Sequence, residues 1–517
     1  MEILAEPVRS TKKRELWSFG VAASLAGFYF ITSLYIASRR PLWFDEILTV
    51  MYARIPGAAT IWRAVFHTDP WEPATPYLAF HFAGATFGTG QLGIRVISAI
   101  TLSVGLLITF DCARRSTDGL HGLIAIAFLT CSGLPFYGYE ARCYGMYFMC
   151  AAAAFWIWTH ARNSRREAVA FGFAVFLACC LHPYAALCLL PFGLADLAQQ
   201  DANRRWPVSY KFLAGFLGAS VGIGTLTIQL PAVLLAPTGF SVPRPAFGSL
   251  QNTYSELFPS GVLLLVLCAI WTALFSKTSP GNLSVLRPMA TPAERAGWLF
   301  FLFPLAGLAL TNPVTHASPP RYFLGMLPGV AVALACLIWR ATNAVIHMRK
   351  VNLVAMGILT LFATVGIARQ IKTMRAPELI DPYGQLGQTR EFLKLEENLV
   401  WQDGREFIVW NGPGLYLTAK QYSKFSERYI FLRPDDEHER AQVWNRILDW
   451  AEYAPVKIWP MKDLAAQIGR AAVVEPMPST VAAMQKMGFE VSIRYTRPVR
   501  IVYFIPSTKR QLLRSAT

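Results

Sequence analysis

The sequence contains few charged residues for its length. Only 15% of its 517 residues are charged and 54% are hydrophobic, whereas a soluble domain carries about 25% charged residues. This balance argues against an ordinary soluble protein and indicates one embedded in a bilayer. Acids are scarcer than bases, 32 against 48, so the formal charge is +16. Because basic residues between apolar segments fix membrane topology, we assign the charge to that role and expect no nucleic-acid partner.

Other signals of specialised chemistry are also missing. The nine cysteines lie in or beside apolar segments, none follows Cys336, and none has the spacing of a zinc site. They are therefore expected to be small buried apolar residues rather than a disulfide framework. The chain shows no internal repeat, which a transporter commonly has. It also has no glycine-rich loop of the kind that binds nucleotides, and this argues against a nucleotide-linked substrate.

Long apolar runs occupy most of the first 370 residues. Since a membrane span needs about 20 apolar residues, the sequence predicts roughly eleven spans. The first follows a basic stretch and is interpreted as a retained signal anchor. The two short runs that meet at His182-Pro183 are also compatible with one broken helix. The predicted spans are 17–37, 91–110, 119–136, 143–160, 168–182, 184–198, 211–235, 261–276, 297–312, 322–339 and 351–369.

The loops between these runs alternate in charge. Every second loop is rich in Lys and Arg, beginning with Lys12, Lys13 and Arg14, so this set is predicted to face the cytoplasm together with the N-terminus. The opposite set is poorer in bases and holds most of the loop acids. On that outer side are Asp45, Glu46, Asp69, Glu72, Glu140, His182, Glu256, His316 and Arg321. With eleven spans the C-terminal tail also lies outside.

The tail differs in composition from the rest of the chain. It mixes charges of both signs, and it has strand-like runs at 407–410 and 499–504 and helix-like stretches at 437–450 and 481–487. We predict a mainly α polytopic membrane part at 1–370 and a small extracytoplasmic α/β domain at 371–517, a usual size for one domain.

Several polar segments on the outer side carry candidate chemistry. Two adjacent carboxylates, Asp45 and Glu46, stand just beyond the first span, where charge is costly and commonly functional. The same loop continues with acids, prolines and aromatics from His67 to Tyr77. A second loop, 137–144, interleaves tyrosines with an acid and a base, and His182 marks the helix break. Because the basic loops place all these segments on one side independently, we expect them to serve one site.

These segments resemble the GT-C superfamily of polyprenyl-phosphate-dependent glycosyltransferases, in particular glycosyltransferase family 39 and its relatives. The resemblance covers about residues 17–370. One departure is Ala74-Thr75-Pro76, where the family often has His-Pro-Pro or Lys-Pro-Pro. The matching segments are Phe44-Asp45-Glu46, Asp69 with Thr75-Pro76-Tyr77-Leu78, Tyr139-Glu140-Ala141-Arg142-Cys143-Tyr144, His182-Pro183-Tyr184, and Pro320-Arg321-Tyr322-Phe323.

The resemblance implies that a sugar passes from a polyprenyl-phosphate donor to a glycan, lipid or protein acceptor outside the cytoplasm. Separately, we expect the protein to lie in an inner (plasma) membrane. Asp45 would be the general base, with Glu46 and Glu140 beside it in the catalytic set. Arg142 and Arg321 would bind the donor phosphate. No cofactor is expected to be required, although Glu72 and His182 suit a divalent cation. The predicted substrate-binding residues are Asp69, Glu72, Tyr139, His182 and Tyr184.

Other functions are compatible with many spans and broken helices. A transporter or a flippase of lipid-linked glycans has both, and its buried charges mark a pathway. A transporter needs access from both faces, however, whereas the ionisable residues of this chain cluster in loops on one face. The transferase is therefore the favoured prediction, and the transporter or flippase is the alternative.

Overall fold

The computed structural model describes residues 6–68, 72–160, 164–198, 209–227, 247–258, 291–314, 319–345, 348–381, 384–410, 415–433, 453, 456–476, 478–497 and 499–506. These residues form two compact units. The helical unit contains the described residues of 6–39, 92–227 and 247–377. The sheet unit contains 40–91 and the described residues from 378 onward. The described residues of 40–91, which make up most of the first predicted outer loop, therefore belong to the same unit as the C-terminal residues.

The helical unit consists of helices joined by short 3₁₀ turns. Its helices are α1 (Glu6–Arg39), α5 (Val96–Ser116), α6 (Gly119–Cys131), α7 (Tyr144–His160), α8 (Arg165–Leu181), α9 (Leu189–Leu197), α10 (Tyr210–Thr227), α11 (Phe247–Leu257), α12 (Pro292–Phe300), α13 (Phe303–Val314), α14 (Leu327–Val345) and α15 (Met348–Arg375). The 3₁₀ turns are Gly93–Arg95, Leu134–Tyr139, Pro183–Cys188 and Pro320–Met326.

The predicted spans correspond largely to these helices. The run 261–276 lies outside the described residues, and the described parts of the other runs are mostly helical. Four helical stretches in the described chain are long and apolar enough to cross a membrane: Glu15–Arg39, Gly93–Ser116, Pro320–Thr342 and Leu353–Arg375. The mainly α membrane architecture is thus confirmed, whereas the number of eleven spans stays a prediction.

Local sequence signals explain where several helices begin and how they pack. A capping box starts α8, because the Glu167 amide donates to Ser164 Oγ at 3.3 Å and the Ser164 amide donates to Glu167 Oε2 at 3.2 Å. Small residues let α8 and α10 approach closely. A Cβ added at Gly218 would lie 2.1 Å from the carbonyl oxygen of Gly172. Close contact through glycine is a typical way for membrane helices to associate.

The sheet unit combines a small sheet with two groups of helices. Its helices are α2 (Phe44–Arg54), α3 (Ala58–Thr68), α4 (Ala74–Phe87), α16 (Gln385–Trp401), α17 (Tyr416–Tyr422), α18 (Met461–Ala466) and α19 (Pro478–Lys486). Its strands are β1 (Phe407–Trp410), β2 (Tyr429–Leu432), β3 (Ile458–Trp459), β4 (Ala471–Val474), β5 (Phe489–Tyr495) and β6 (Ile501–Pro506). Short 3₁₀ turns lie at Pro377–Leu379, Ser426–Arg428 and Ile468–Arg470.

The six strands are arranged in the order β3-β2-β1-β4-β6-β5. The first four are mutually parallel, and β6 pairs antiparallel with both β4 and β5. The central strands β1, β2 and β4 are almost entirely buried, which explains their apolar runs. The α/β character predicted for the tail is confirmed. The predicted helical stretch 437–450 lies outside the described residues.

Helix α16 of the sheet unit carries a buried carboxyl group. Glu396 is 2% exposed, and its Oε1 accepts a hydrogen bond of 2.6 Å from Ser423 Oγ. Burial raises the pKa of this carboxyl, although hydrogen bonds from Ser423 and Tyr429 partly oppose the shift. This carboxyl group is therefore easier to protonate in the folded unit than in the unfolded chain.

This preference predicts a pH-dependent stability. A raised folded-state pKa stabilises the unit below the unfolded-state value, and that stability is lost as pH rises through the folded-state value. Glu396→Gln keeps a neutral hydrogen-bonding group, so it should raise the melting temperature at pH 8 and change it little at pH 4. Thermal unfolding followed by near-UV circular dichroism measures this. Equal shifts of the melting temperature at both pH values would contradict the assignment.

Candidate functional site

Asp45 and Glu46 occupy the first turn of helix α2, in the sheet unit. Negative charge is stabilised there by the unpaired amide groups and the helix dipole. Glu46 is fully buried, and its Oε2 lies 3.7 Å from Nη2 of Arg40, which is also fully buried. The same oxygen accepts a hydrogen bond of 3.3 Å from the Trp43 amide. Glu46 thus holds the start of the helix, whereas Asp45 is only partly buried.

The first outer loop also contains the predicted residues Asp69 and Glu72, of which the structure describes only Glu72. Asp69 lies outside the described residues. Glu72 is partly buried and stands just before α4. Helices α2 and α4 pack together, with the rings of Tyr52 and Tyr77 centred 4.3 Å apart. The helix that carries Asp45 in its first turn is therefore packed against α4.

The helical unit brings two predicted outer segments and helix α7 together around His182. This histidine is 6% exposed, ends α8, and accepts a hydrogen bond of 3.3 Å from the Tyr184 amide at Nδ1. Its ring centre lies 4.4 Å from that of Tyr322 and 5.5 Å from that of Tyr147. Tyr184 also contacts Tyr322, with ring centres 4.9 Å apart. Segments far apart in the chain therefore build one aromatic cluster.

A close backbone approach holds this cluster in place. A Cβ added at Gly325 would lie 2.4 Å from Oη of Tyr147, so only glycine fits there without a shift. The Tyr147 hydroxyl donates to the carbonyl oxygen of Tyr322 at 3.4 Å. The 3₁₀ turn Pro320–Met326 is thereby fixed against α7, and this turn carries Arg321.

Arg321 supplies a positive charge to the same cluster. Its guanidinium carbon lies 5.9 Å from the ring centres of both Tyr144 and Tyr322, within reach of a cation–π interaction. Burial raises the pKa of Glu256 on α11, and the charge of Arg321 partly offsets that shift. Burial also raises the pKa of Tyr137, with Glu140 and Glu256 adding to the effect and Arg321 opposing it.

The segment after the Leu134–Tyr139 turn holds the remaining predicted residues of the helical unit. Glu140 is 2% exposed and Arg142 is 6% exposed, and the Arg142 amide donates to the Glu140 carbonyl oxygen at 2.9 Å. The ring of Tyr139 contacts that of Phe136 at 5.4 Å. The helical unit thus combines arginines, acids and aromatic faces, a set that suits a phosphate group joined to a sugar.

Some residues of these arrangements were not predicted from the sequence. Arg40, the partner of Glu46, gave only one signal, which is an arginine directly after the first span on the side that is poor in bases. Glu256 is predicted on the outer side but in no site, and Tyr147 is predicted within a span. Among the described residues, no three His, Cys, Asp or Glu side chains are grouped as a metal site requires. The divalent cation stays a prediction.

The fold was compared with known proteins. No protein-family model and no curated protein sequence matches the chain. The structure of ArnT from Cupriavidus metallidurans in the apo state matches with a TM-score of 0.57 and 12% identity, covering 94% of this chain and 98% of that one. The structure of the same ArnT bound to undecaprenyl phosphate matches with a TM-score of 0.56 and 12% identity, covering 94% and 97%.

A third structure is less similar. The Archaeoglobus fulgidus oligosaccharyltransferase in the apo form matches with a TM-score of 0.40 and 12% identity, covering 79% of this chain and 64% of that one. That score is too low to establish a common fold. The ArnT matches extend over nearly the whole of both chains, so the chain has the ArnT-like GT-C fold that its sequence motifs predict.

Proposed function

We propose that the protein transfers a sugar from a polyprenyl-phosphate donor to a hydroxyl group of an extracytoplasmic glycan, lipid or protein acceptor. The observation that carries the proposal is the arginine and tyrosine cluster of the helical unit, on a fold whose matched counterpart is an ArnT bound to undecaprenyl phosphate. The family-39 resemblance of the motifs around Asp45, Glu140 and Arg321 supports the same activity.

In the proposed reaction Asp45 is the general base. Its carboxylate takes the proton of the acceptor hydroxyl while the acceptor oxygen forms a bond to the anomeric carbon of the sugar. The bond between that carbon and the phosphate oxygen breaks, and its electron pair stays on the phosphate. One displacement inverts the anomeric carbon, so no covalent carboxylate intermediate is needed, unlike in retaining hydrolases.

Arg142 and Arg321 are the proposed partners of the leaving phosphate. Negative charge grows on the phosphate as the sugar bond breaks, and fixed guanidinium groups stabilise such charge without reorganising. Glu140 belongs to the proposed catalytic set through its position two residues before Arg142. Tyr139, His182 and Tyr184, with Asp69 and Glu72 of the first outer loop, are proposed to bind substrate.

We also propose the cellular arrangement that this chemistry needs. The protein is an inner (plasma) membrane enzyme with a cytoplasmic N-terminus and an extracytoplasmic C-terminal domain. The basic loops support that orientation, and the apolar helices are long enough to span the bilayer. No cofactor is required in this scheme, and a divalent cation remains compatible with it.

A donor panel tests the proposed function directly. The full-length protein in nanodiscs is mixed with radiolabelled polyprenyl-phosphate sugars and with cell-envelope extract as the source of acceptor. We expect label from at least one donor to move to an acceptor, with free polyprenyl phosphate as the second product. If a folded protein transfers label from no donor, the transferase proposal fails and the transporter or flippase takes its place.

A further inference from the structure

Tyr422, in the C-terminal part of the sheet unit, is hydrogen-bonded to the backbone just before Asp45. The hydroxyl of Tyr422, the last residue of α17, accepts a hydrogen bond of 2.5 Å from the Leu42 amide. It also donates to the Leu42 carbonyl oxygen at 3.2 Å. The two residues are 380 positions apart in the chain, yet both belong to the same compact unit.

The position of Leu42 explains why this contact matters. Leu42 is 2% exposed and Trp43 is 4% exposed, and both precede the first residue of α2. Buried backbone groups outside a helix or sheet need other partners, since leaving them unpaired is costly. A single phenol hydroxyl serves both polar groups of the Leu42 backbone. It therefore fixes the chain two residues before the helix begins.

The opposite side of the same turn is held separately. The Trp43 amide donates to Glu46, whose carboxylate faces the buried guanidinium of Arg40. In the sequence Asp45 lies between Trp43 and Glu46. The backbone that leads to Asp45 is thus held at Leu42 by Tyr422 and at Trp43 by Glu46.

Helix α17 is itself firmly supported. Ser423, the next residue, donates through Oγ to Glu396 at 2.6 Å, and its amide donates to the Ala419 carbonyl oxygen at 2.8 Å. The ring of Tyr416 contacts the buried rings of Trp410 and Tyr429, and α17 packs against α2. The Tyr422 hydroxyl is thus presented from a rigid base.

We propose that Tyr422 is a positioning residue for Asp45, and that the C-terminal domain thereby takes part in catalysis without contributing a reacting group. The proposal rests on the proposed function of Asp45. Proton abstraction requires the base within hydrogen-bond reach of the acceptor hydroxyl, and a misplacement of about 1 Å can cost roughly 100-fold in rate. Loss of the Tyr422 hydroxyl loosens the turn and therefore slows the chemical step rather than weakening donor binding.

Tyr422→Phe tests this role in the full-length protein. We expect kcat for sugar transfer to fall by about 10- to 100-fold, with KM for the lipid donor within about twofold of the wild-type value. We also expect faster hydrogen–deuterium exchange in the peptide covering residues 40–46, because the Leu42 amide loses its acceptor. The exchange measurement does not depend on activity.

Tyr503→Phe is the matched control. It removes a phenol hydroxyl from the same unit, one that donates to Asp403 Oδ2 at 2.6 Å. We expect this variant to keep the wild-type kcat and the wild-type exchange of residues 40–46. An equal loss of kcat in both variants would overturn the proposal, as would unchanged exchange of 40–46 in Tyr422→Phe.

Failure of the proposed function is distinguishable from failure of this inference. If the wild-type protein transfers no sugar, the transferase proposal fails, and the role of Tyr422 in fixing the turn is then decided by the exchange comparison alone. If the wild type is active and Tyr422→Phe keeps its kcat, the positioning role is wrong while the transferase stands.

Discussion

Asp45→Asn is expected to reduce sugar transfer by about 100- to 10,000-fold, the usual contribution of a general base. Asparagine has nearly the same shape but does not accept the acceptor proton. It is also tolerated near a helix N-terminus, so the variant should fold normally. Single-turnover transfer from a radiolabelled polyprenyl-phosphate sugar measures the effect, with the melting temperature as the check on folding.

Two variants control for charge and for the neighbouring acid. Asp463 lies in the first turn of α18 in the same unit, and Asp463→Asn should leave transfer unchanged. Glu46→Gln should mainly destabilise the protein, because breaking a buried ion pair costs about 3–5 kcal/mol and Arg40 would keep its buried charge. Transfer by Asp45→Asn at close to the wild-type rate would remove Asp45 as the base and direct attention to Glu140.

Arg321→Gln is expected to lower kcat/KM for the lipid donor by about 10- to 100-fold, since a hydrogen bond to a charged group contributes about 1.5–3 kcal/mol. Arg321→Lys should recover only part of this loss, because lysine keeps the charge but not the planar fork that matches phosphate. Steady-state kinetics and direct binding of undecaprenyl phosphate to the protein in nanodiscs measure the two effects.

An arginine without a proposed role gives the comparison for Arg321. Arg375 is exposed at the end of α15, and it follows the last predicted span on the outer side. Arg375→Gln should bind undecaprenyl phosphate as the wild type does. If Arg321→Gln binds that lipid with unchanged affinity and keeps its kcat/KM, the phosphate is held elsewhere, and Arg142 becomes the first residue to test.

Much of the fold could be predicted because it depends on local pattern. The apolar run 17–37 lies within α1, and the stretch predicted as helical at 481–487 overlaps α19, which covers Pro478–Lys486. Boundaries shifted where turn residues intervene. The predicted span 119–136 is helical only to Cys131, since Pro135 belongs to the 3₁₀ turn Leu134–Tyr139.

The candidate site was harder to predict from the sequence than the fold, because it depends on contacts between segments that are distant in the chain. Motifs identified Glu140, Arg142, His182 and Arg321, but nothing in their spacing predicts that the rings of His182 and Tyr322 are centred 4.4 Å apart. The same holds for the described residues of 40–91, which belong to the same unit as the C-terminal residues. Sequence pattern reports which face of an element is apolar, whereas tertiary packing decides which elements meet.

The contact between Leu42 and Tyr422 also sets an order of events during biosynthesis. At a synthesis rate of about 5–20 residues per second, the 380 positions between them correspond to roughly 20–80 s of elongation. Throughout that interval the residues of the turn before Asp45 have been synthesised, but the Tyr422 hydroxyl that forms hydrogen bonds with Leu42 has not. A chain that is truncated anywhere before Tyr422 never forms these hydrogen bonds. The nascent protein therefore completes this turn only after Tyr422 has been synthesised.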